Sequence, residues 1–365
     1  MASKNLYIHF PFCRSRCAYC DFYSTVLSAD WAQRYVKTLQ EEILQRVSGA
    51  VQNVYLGGGT PSLMRDTDLY DLMATVRRAS VLADDAEITI EANPDDIDEA
   101  WVSSILSAGF NRVSMGVQSF NDEVLQFVGR RHNAMSAERA VRTAKERVNN
   151  VSIDLIYGLP LQTVEDFRGD VLEAIELGVE HISAYALTYE EGTRLWHLRE
   201  GKALTETSDD TEWRMYELLM DQLAQAGYEH YEISNFARPG YQARHNSGYW
   251  DGTHYIGVGA AAHSYDGVNR RWNVADIRAY IDSPGQPPFE GEQLSEQMRY
   301  EELLMTRLRT RKGLCLADVP EPFIAQLDKQ KIPHLMAGNL IEEDGVLRLT
   351  RKGIFRSDDI IADLF

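Results

Sequence analysis

The sequence predicts an α/β protein: an incomplete (β/α)6, TIM-like barrel followed by a C-terminal helical, winged-helix-like domain. From Asn5 to about Phe236 a β-rich run, a loop with Gly, Pro or Asn, and a stretch of helical period recur in turn. That is the pattern of βα units building a parallel sheet. Pro239-Gly240 breaks the alternation, and an aromatic-rich stretch without clear period follows to about Pro288. A helical pattern resumes near Ser295 and leads to a hairpin. The predicted division is therefore a barrel over 1–238, a connecting region over 239–290 and a C-terminal domain over 291–365.

The predicted barrel strands are Leu6-Tyr7-Ile8, Val51–Leu56, Ala86–Glu91, Arg112–Gln118, Val151–Leu155 and His181–Leu187, with Tyr228–Ile233 at the sheet edge. Trp31–Val47 is the first predicted helix, with Ser28 and Asp30 as caps and Glu41-Glu42 among its polar positions. Parallel strands carry working residues at their C-terminal ends, so motifs just after these strands are site candidates. In the last region Glu296–Arg309 reads as an amphipathic helix and Leu340–Thr350 as a hairpin turning at Asp344-Gly345. Cys315, alone there, reads as a small apolar residue.

The chain has 365 residues, 44% of them hydrophobic, and 37 Lys and Arg against 55 Asp and Glu, for a formal charge of −18. Such a field repels phosphate backbones, and the basic footprint of a nucleic-acid reader is not evident. Nucleic acid is not an expected partner. No apolar run has the length of a membrane span, and Met1-Ala2-Ser3-Lys4 leads into neither a signal sequence nor a myristoylation site. The expected compartment is the cytoplasm, with peripheral membrane contact left open.

Cys13, Cys17 and Cys20 fall within eight residues, directly after the first strand. Soft thiolates at this spacing suit an iron–sulfur cluster or zinc. Structural zinc takes four protein ligands, and only His9 lies near enough in sequence to complete a set. A cubane has four irons, so three cysteines leave one iron for an exchangeable ligand. Gly57-Gly58-Gly59-Thr60 follows the second strand, where glycine lets backbone approach a ligand closely. Alone, the triplet is equally an ordinary tight turn. Glu91, Gln118 and Asp154 end the third, fourth and fifth strands, and Arg130 offers a planar fork for a carboxylate. Each could be a solvated side chain; their recurrence at strand ends is the signal.

The cysteine spacing resembles that of the radical S-adenosylmethionine (SAM) superfamily. Tyr7-Ile8-His9-Phe10-Pro11-Phe12-Cys13, Gly57–Ser62, Glu91-Ala92-Asn93-Pro94 and Asp154–Pro160 resemble its coproporphyrinogen oxidase-like group over nearly the whole chain. The resemblance implies a [4Fe–4S] cluster on Cys13, Cys17 and Cys20, with SAM completing the fourth iron. It implies SAM contacts at Tyr7, Gly58, Gly59, Thr60, Glu91, Gln118, Arg130 and Asp154. It also implies reduction by a flavodoxin or ferredoxin, for which Arg14 and Arg16 offer a local positive landing site. A homodimer is consistent with the group.

Two departures separate the chain from the oxidase branch. That branch carries a further cysteine two residues past the last ligand, where this chain has Phe22, and an extension before the first strand. His245-Asn246-Ser247-Gly248-Tyr249-Trp250 instead matches the His-Asn-x-x-Tyr-Trp signature of the group's heme chaperones. Imidazole is a common axial heme ligand, and Tyr249 and Trp250 could pack on a porphyrin face. Without the resemblance, a histidine and two aromatics closing the barrel is an equal reading. His263 is a second candidate ligand, and Arg244, Arg270 and Arg271 are candidates for heme propionates. The expected function is a chaperone that binds heme and passes it to an acceptor protein. The alternative is oxygen-independent oxidation of coproporphyrinogen III, which Phe22 disfavours. Whether SAM is cleaved stays open.

Overall fold

A computed structural model describes residues 4–365. Its centre is a run of parallel strands in sequence order: β1 (Lys4–Phe10), β2 (Ala50–Gly58), β3 (Val81–Ala92), β4 (Arg112–Gln118), β5 (Val151–Tyr157) and β6 (His181–Ala186). Helices such as Ala29–Arg46, Asp66–Ala79 and Val164–Leu177 return the chain between strands. The strands alternate, with one face of apolar residues buried beneath the helices. Leu6, Ile8, Val54, Leu56, Val113, Met115, Ile153 and Leu155 are all buried. β1 and β6 find other neighbours instead of each other, so the barrel is open.

The stretch 239–290 is not a linker in space. Tyr255–Val258 pairs in parallel with β1, Leu6 opposite Ile256, and His263–Tyr265, Asn269–Asn273 and Phe289–Gln293 add antiparallel strands beyond it. On the far side Asn235–Ala237 pairs with β6, and Glu229–Glu232 forms the edge, where the sequence places a strand. Among the described residues the sheet thus has twelve strands.

A residue read from sequence as a polar helix position explains this continuity. Glu42 is 0% exposed. It accepts from Gly259 N–H at 2.8 Å, Asn273 Nδ2 at 2.8 Å and Tyr280 Oη at 2.6 Å, and it pairs with Arg46. Arg46 also donates to the Gly257 carbonyl at 2.9 Å. An ionised carboxylate survives burial only when such donors surround it.

The C-terminal part has its own core of Tyr300, Leu304, Leu314, Phe323, Leu327, Leu340, Leu347 and Ile360. Helices Glu296–Arg307 and Glu321–Met336 pack with strands Leu314–Cys315, Leu340–Glu343 and Val346–Leu349. Asp344 and Gly345 both take positive φ, 52° and 74°, the conformation a two-residue hairpin turn requires. Phe355 joins this part to the barrel through Trp213, ring centroids 5.1 Å apart.

Removing the Glu42 carboxylate takes the shared acceptor from three donors and the ion-pair partner from Arg46. Glu42→Ala is expected to lower stability by about 3–5 kcal/mol, the range for breaking a buried pair. Urea unfolding followed by circular dichroism measures it.

Candidate active site

The loop after β1 carries the three cysteines to the C-terminal mouth of the barrel. Cys13, Cys17 and Cys20 are free, part-exposed thiols lining one cavity of about 450 Å³. Backbone bonds fix the loop: Ala18 N–H donates to Val128 O, and Thr25 N–H to Pro11 O. Burial raises the Cys13 thiol, against hydrogen bonds from Thr60 and Ser24, and pushes Cys20 up to about 11. Phe22, 65% exposed, stands at the rim.

The glycine loop is stitched to the cysteine loop. Gly59 N–H donates to Phe10 O at 2.8 Å and Thr60 N–H to Phe12 O at 2.9 Å. A Cβ on Gly59 would lie 2.8 Å from the Phe12 backbone nitrogen. Gly58 has φ +113°, and a Cβ there would reach 2.5 Å from the His9 ring. Gly58 N–H donates to Glu91 Oε2 at 2.9 Å, and Tyr55 Oη donates to Glu91 Oε1 at 2.7 Å. Burial pushes the Glu91 carboxyl up to about 7 despite both donors.

A polar chain runs round the mouth between two cysteines. Cys13 meets Thr60, and Asn93 Nδ2 donates to Thr60 Oγ1 at 3.5 Å. Arg130 donates to Asn93 Oδ1 at 2.8 Å, to the Gly116 carbonyl, and to Cys17 Sγ at 3.4 Å. Gln118 takes φ 71° where β4 slips register against β5, which turns it at the strand end. Burial raises the Asp154 carboxyl, opposed first by a hydrogen bond from Ser183.

Cys13, Cys17, Cys20, Gly58, Gly59, Thr60, Glu91, Gln118, Arg130 and Asp154 therefore share one cavity. Tyr7 does not line it: its hydroxyl bonds His9 Nδ1 at 3.0 Å, and Tyr55 presents the aromatic face instead. Arg112 and Tyr185, which the sequence did not single out, also line the cavity, as does Asn246 of the His-Asn-x-x-Tyr-Trp signature. The signal for Arg112 was present, an arginine in phase with Ser114, Gly116 and Gln118 on one face of a strand.

The His-Asn-x-x-Tyr-Trp segment lies elsewhere. Helix Arg244–Asp251 closes the opposite, N-terminal end of the barrel, where Glu87 accepts from Arg244 N–H at 3.1 Å and His245 N–H at 3.0 Å. Asn5, bonded to Asn53 at 3.0 Å, donates to the His245 carbonyl at 3.4 Å. His245 is 1% exposed; its Nε2 lies 3.0 Å from Tyr249 Oη, and burial pushes its pKa down to about 3. Tyr249 and Trp250 are exposed and part-exposed, and Asn246 alone of the motif reaches the cavity. His263 is an exposed residue on the strand His263–Tyr265, stacked on Trp272 at 5.7 Å, away from the cavity. Arg244 already pairs with Asp85 at 2.7 Å and Arg270 with Glu302 at 2.9 Å, while Arg271 lies over Phe289 at 3.6 Å. At the mouth, Arg14 pairs with Asp96 at 3.4 Å and Arg16 lines the cavity.

Comparison with known proteins agrees with this geometry. The Radical SAM superfamily profile matches residues 7–174, and the HemN C-terminal domain profile matches 294–356. The heme chaperone HemW of Lactococcus lactis is 33% identical over 356 residues, 96% of this chain and 94% of that protein. HemW of Escherichia coli is 39% identical over 71% of this chain and 69% of that protein. The chain belongs to the HemW family of radical SAM proteins. The crystal structure of E. coli coproporphyrinogen III oxidase, HemN, superposes with a TM-score of 0.83 over 99% of this chain and 90% of that one. At 24% identity that likeness speaks for the fold.

Radical SAM membership implies a [4Fe–4S] cluster and SAM, and this HemW-family cavity fits both. It has soft sulfur donors at the mouth, a glycine cradle that a Cβ would fill, and the Arg130 Nε buried without a hydrogen-bond partner among the described residues.

Gly58→Ala forces a methyl against His9 in a backbone region that L-residues avoid. It is expected to cost about 1–3 kcal/mol and to loosen the Glu91 bond. Thermal unfolding together with SAM titration of the reconstituted protein tests both effects.

Proposed function

We propose that this protein is a heme chaperone that carries a [4Fe–4S] cluster on Cys13, Cys17 and Cys20, binds SAM beside it, and delivers heme to an acceptor protein. The observation that carries the reading is the match to HemW proteins over nearly the full length of both chains. In this reading Arg130 holds the SAM carboxylate, Gly58, Gly59 and Thr60 line its amino end, and Glu91 accepts from its ribose hydroxyls, with Gln118 and Asp154 beside it. Reduced, the cluster supplies the electron needed to cleave a sulfonium. Reduction comes from a flavodoxin- or ferredoxin-type donor docking near Arg14 and Arg16. No described helix is long and apolar enough to cross a membrane, and the reading takes the protein to be cytoplasmic.

Heme ligation by His245, flanked by Tyr249 and Trp250, requires the Tyr249 hydroxyl to give up His245 Nε2 and the helix Arg244–Asp251 to open from the barrel floor. A second reading of the heme ligand rests on the exposure of His263 against Trp272.

Heme titrated into the anaerobically reconstituted chain is expected to give a saturable absorption change and to transfer to an added apo-acceptor. Coproporphyrinogen III is expected to remain unconverted; its turnover to protoporphyrinogen IX overturns the chaperone reading. His245→Ala is expected to alter the heme spectrum. An effect confined to His263→Ala moves the ligand to the strand His263–Tyr265.

A further inference from the structure

The cavity holds a cation to which the family resemblance gives no role. Arg112 opens β4 at the deep end of the barrel and is 2% exposed, yet it lines the cavity. It makes no ion pair among the described residues, and its Nε has no hydrogen-bond partner. Arginine stays charged, and a buried charge without a partner is costly. Its field falls on two carboxyl groups. β4 lies between β3, which carries Glu91, and β5, which carries Asp154.

Glu91 works only as a carboxylate. One oxygen already accepts from Tyr55 and the other from Gly58, so a proton on either would oppose a donor. The groups facing it are Tyr7 on β1, Tyr55 on β2, Arg112 on β4, Asp154 on β5, Tyr185 on β6 and Tyr249 on the floor helix. Of these only Arg112 is positive. Burial and, less, Asp154 favour the protonated acid; the hydrogen bonds from Tyr55 and Gly58 oppose them first, and the Arg112 charge adds to those donors.

We propose that Arg112 is a positioning residue for the adenosyl ligand: from the cavity floor it keeps Glu91 ionised, so that both oxygens stay acceptors for the glycine loop and for ribose hydroxyls. The inference rests on the reading of Glu91 as the ribose acceptor. The direction follows from the acid's titration. Protonation as pH falls through about 7 removes the acceptor, so SAM binding weakens on the acid side. Without Arg112 the midpoint moves to higher pH. Below it, a tenfold weaker acid means roughly tenfold weaker SAM binding.

The test is equilibrium titration of SAM into the full, anaerobically reconstituted chain between pH 6 and 9, with iron content as the check on the cluster. Arg112→Met is expected to bind like the parent at pH 9, about fivefold more weakly at pH 7 and about tenfold more weakly at pH 6. Arg112→Lys is expected to keep the parent profile. An unchanged profile for Arg112→Met, or an equal loss at every pH, overturns the proposal. Should Arg112→Met not fold, Arg112→Gln carries the same expectation. Glu91→Gln separates the two ideas. Unaltered binding there overturns the ribose reading, whereas loss there beside a parent-like Arg112→Met profile overturns only the role of Arg112.

Discussion

The Glu42 carboxylate sits on the first barrel helix with no solvent around it, surrounded by donors from residues more than 200 positions later in the chain. Gly259, Asn273 and Tyr280 converge on it, and Arg46 spans from it to the Gly257 carbonyl. Because Gly257 and Val258 pair with Tyr7 and Ile8, the same contact fixes one flank of β1, the strand that ends at the cysteine loop. Tyr35 extends the arrangement, donating to His9 O and accepting from Ala260 N–H. The cysteines therefore stand on a strand held from both sides, by β2 and by the late strand Tyr255–Val258.

The two ends of the barrel do different work. At the C-terminal end, loops after the strands gather thiols, glycines and a guanidinium round an accessible cavity. At the N-terminal end, an amide and carboxylate network through Asn5, Asn53 and Glu87 clamps the helix Arg244–Asp251 over the floor. His245 is part of that clamp in the present arrangement, its ring 5.2 Å from Tyr55, which itself supports Glu91. The signature segment and the cavity are thus joined through Tyr55 and Asn246. A change at the floor helix has a physical route to the Glu91 carboxyl. Burial sets the protonation of both ends in opposite senses, raising the Glu91 carboxyl to about 7 and lowering His245 to about 3.

Much of this was legible in residue order. Six strand runs, the hairpin at Asp344-Gly345, the cysteine spacing and the strand-end positions of Glu91, Gln118 and Asp154 follow from period, turn chemistry and the polarity of parallel sheets. These are local signals, complete within a few residues. Glu42 was legible only as a polar helix position, because its partners come from the far end of the chain. The strands of 255–293 were hidden because they are three to five residues long and rich in aromatics, too short to display a period.

The sequence by itself determined the family: three cysteines at fixed spacing and a string of short motifs are properties of the chain's order. Only the tertiary structure decided which side of the wall each residue occupies. It moved Tyr7 behind the cavity and brought Tyr55 and Arg112 into it. It also turned His245 inward on to Tyr249. The reason is that burial, and the electrostatics that follow from it, depend on contacts between segments far apart in sequence, which no local pattern encodes.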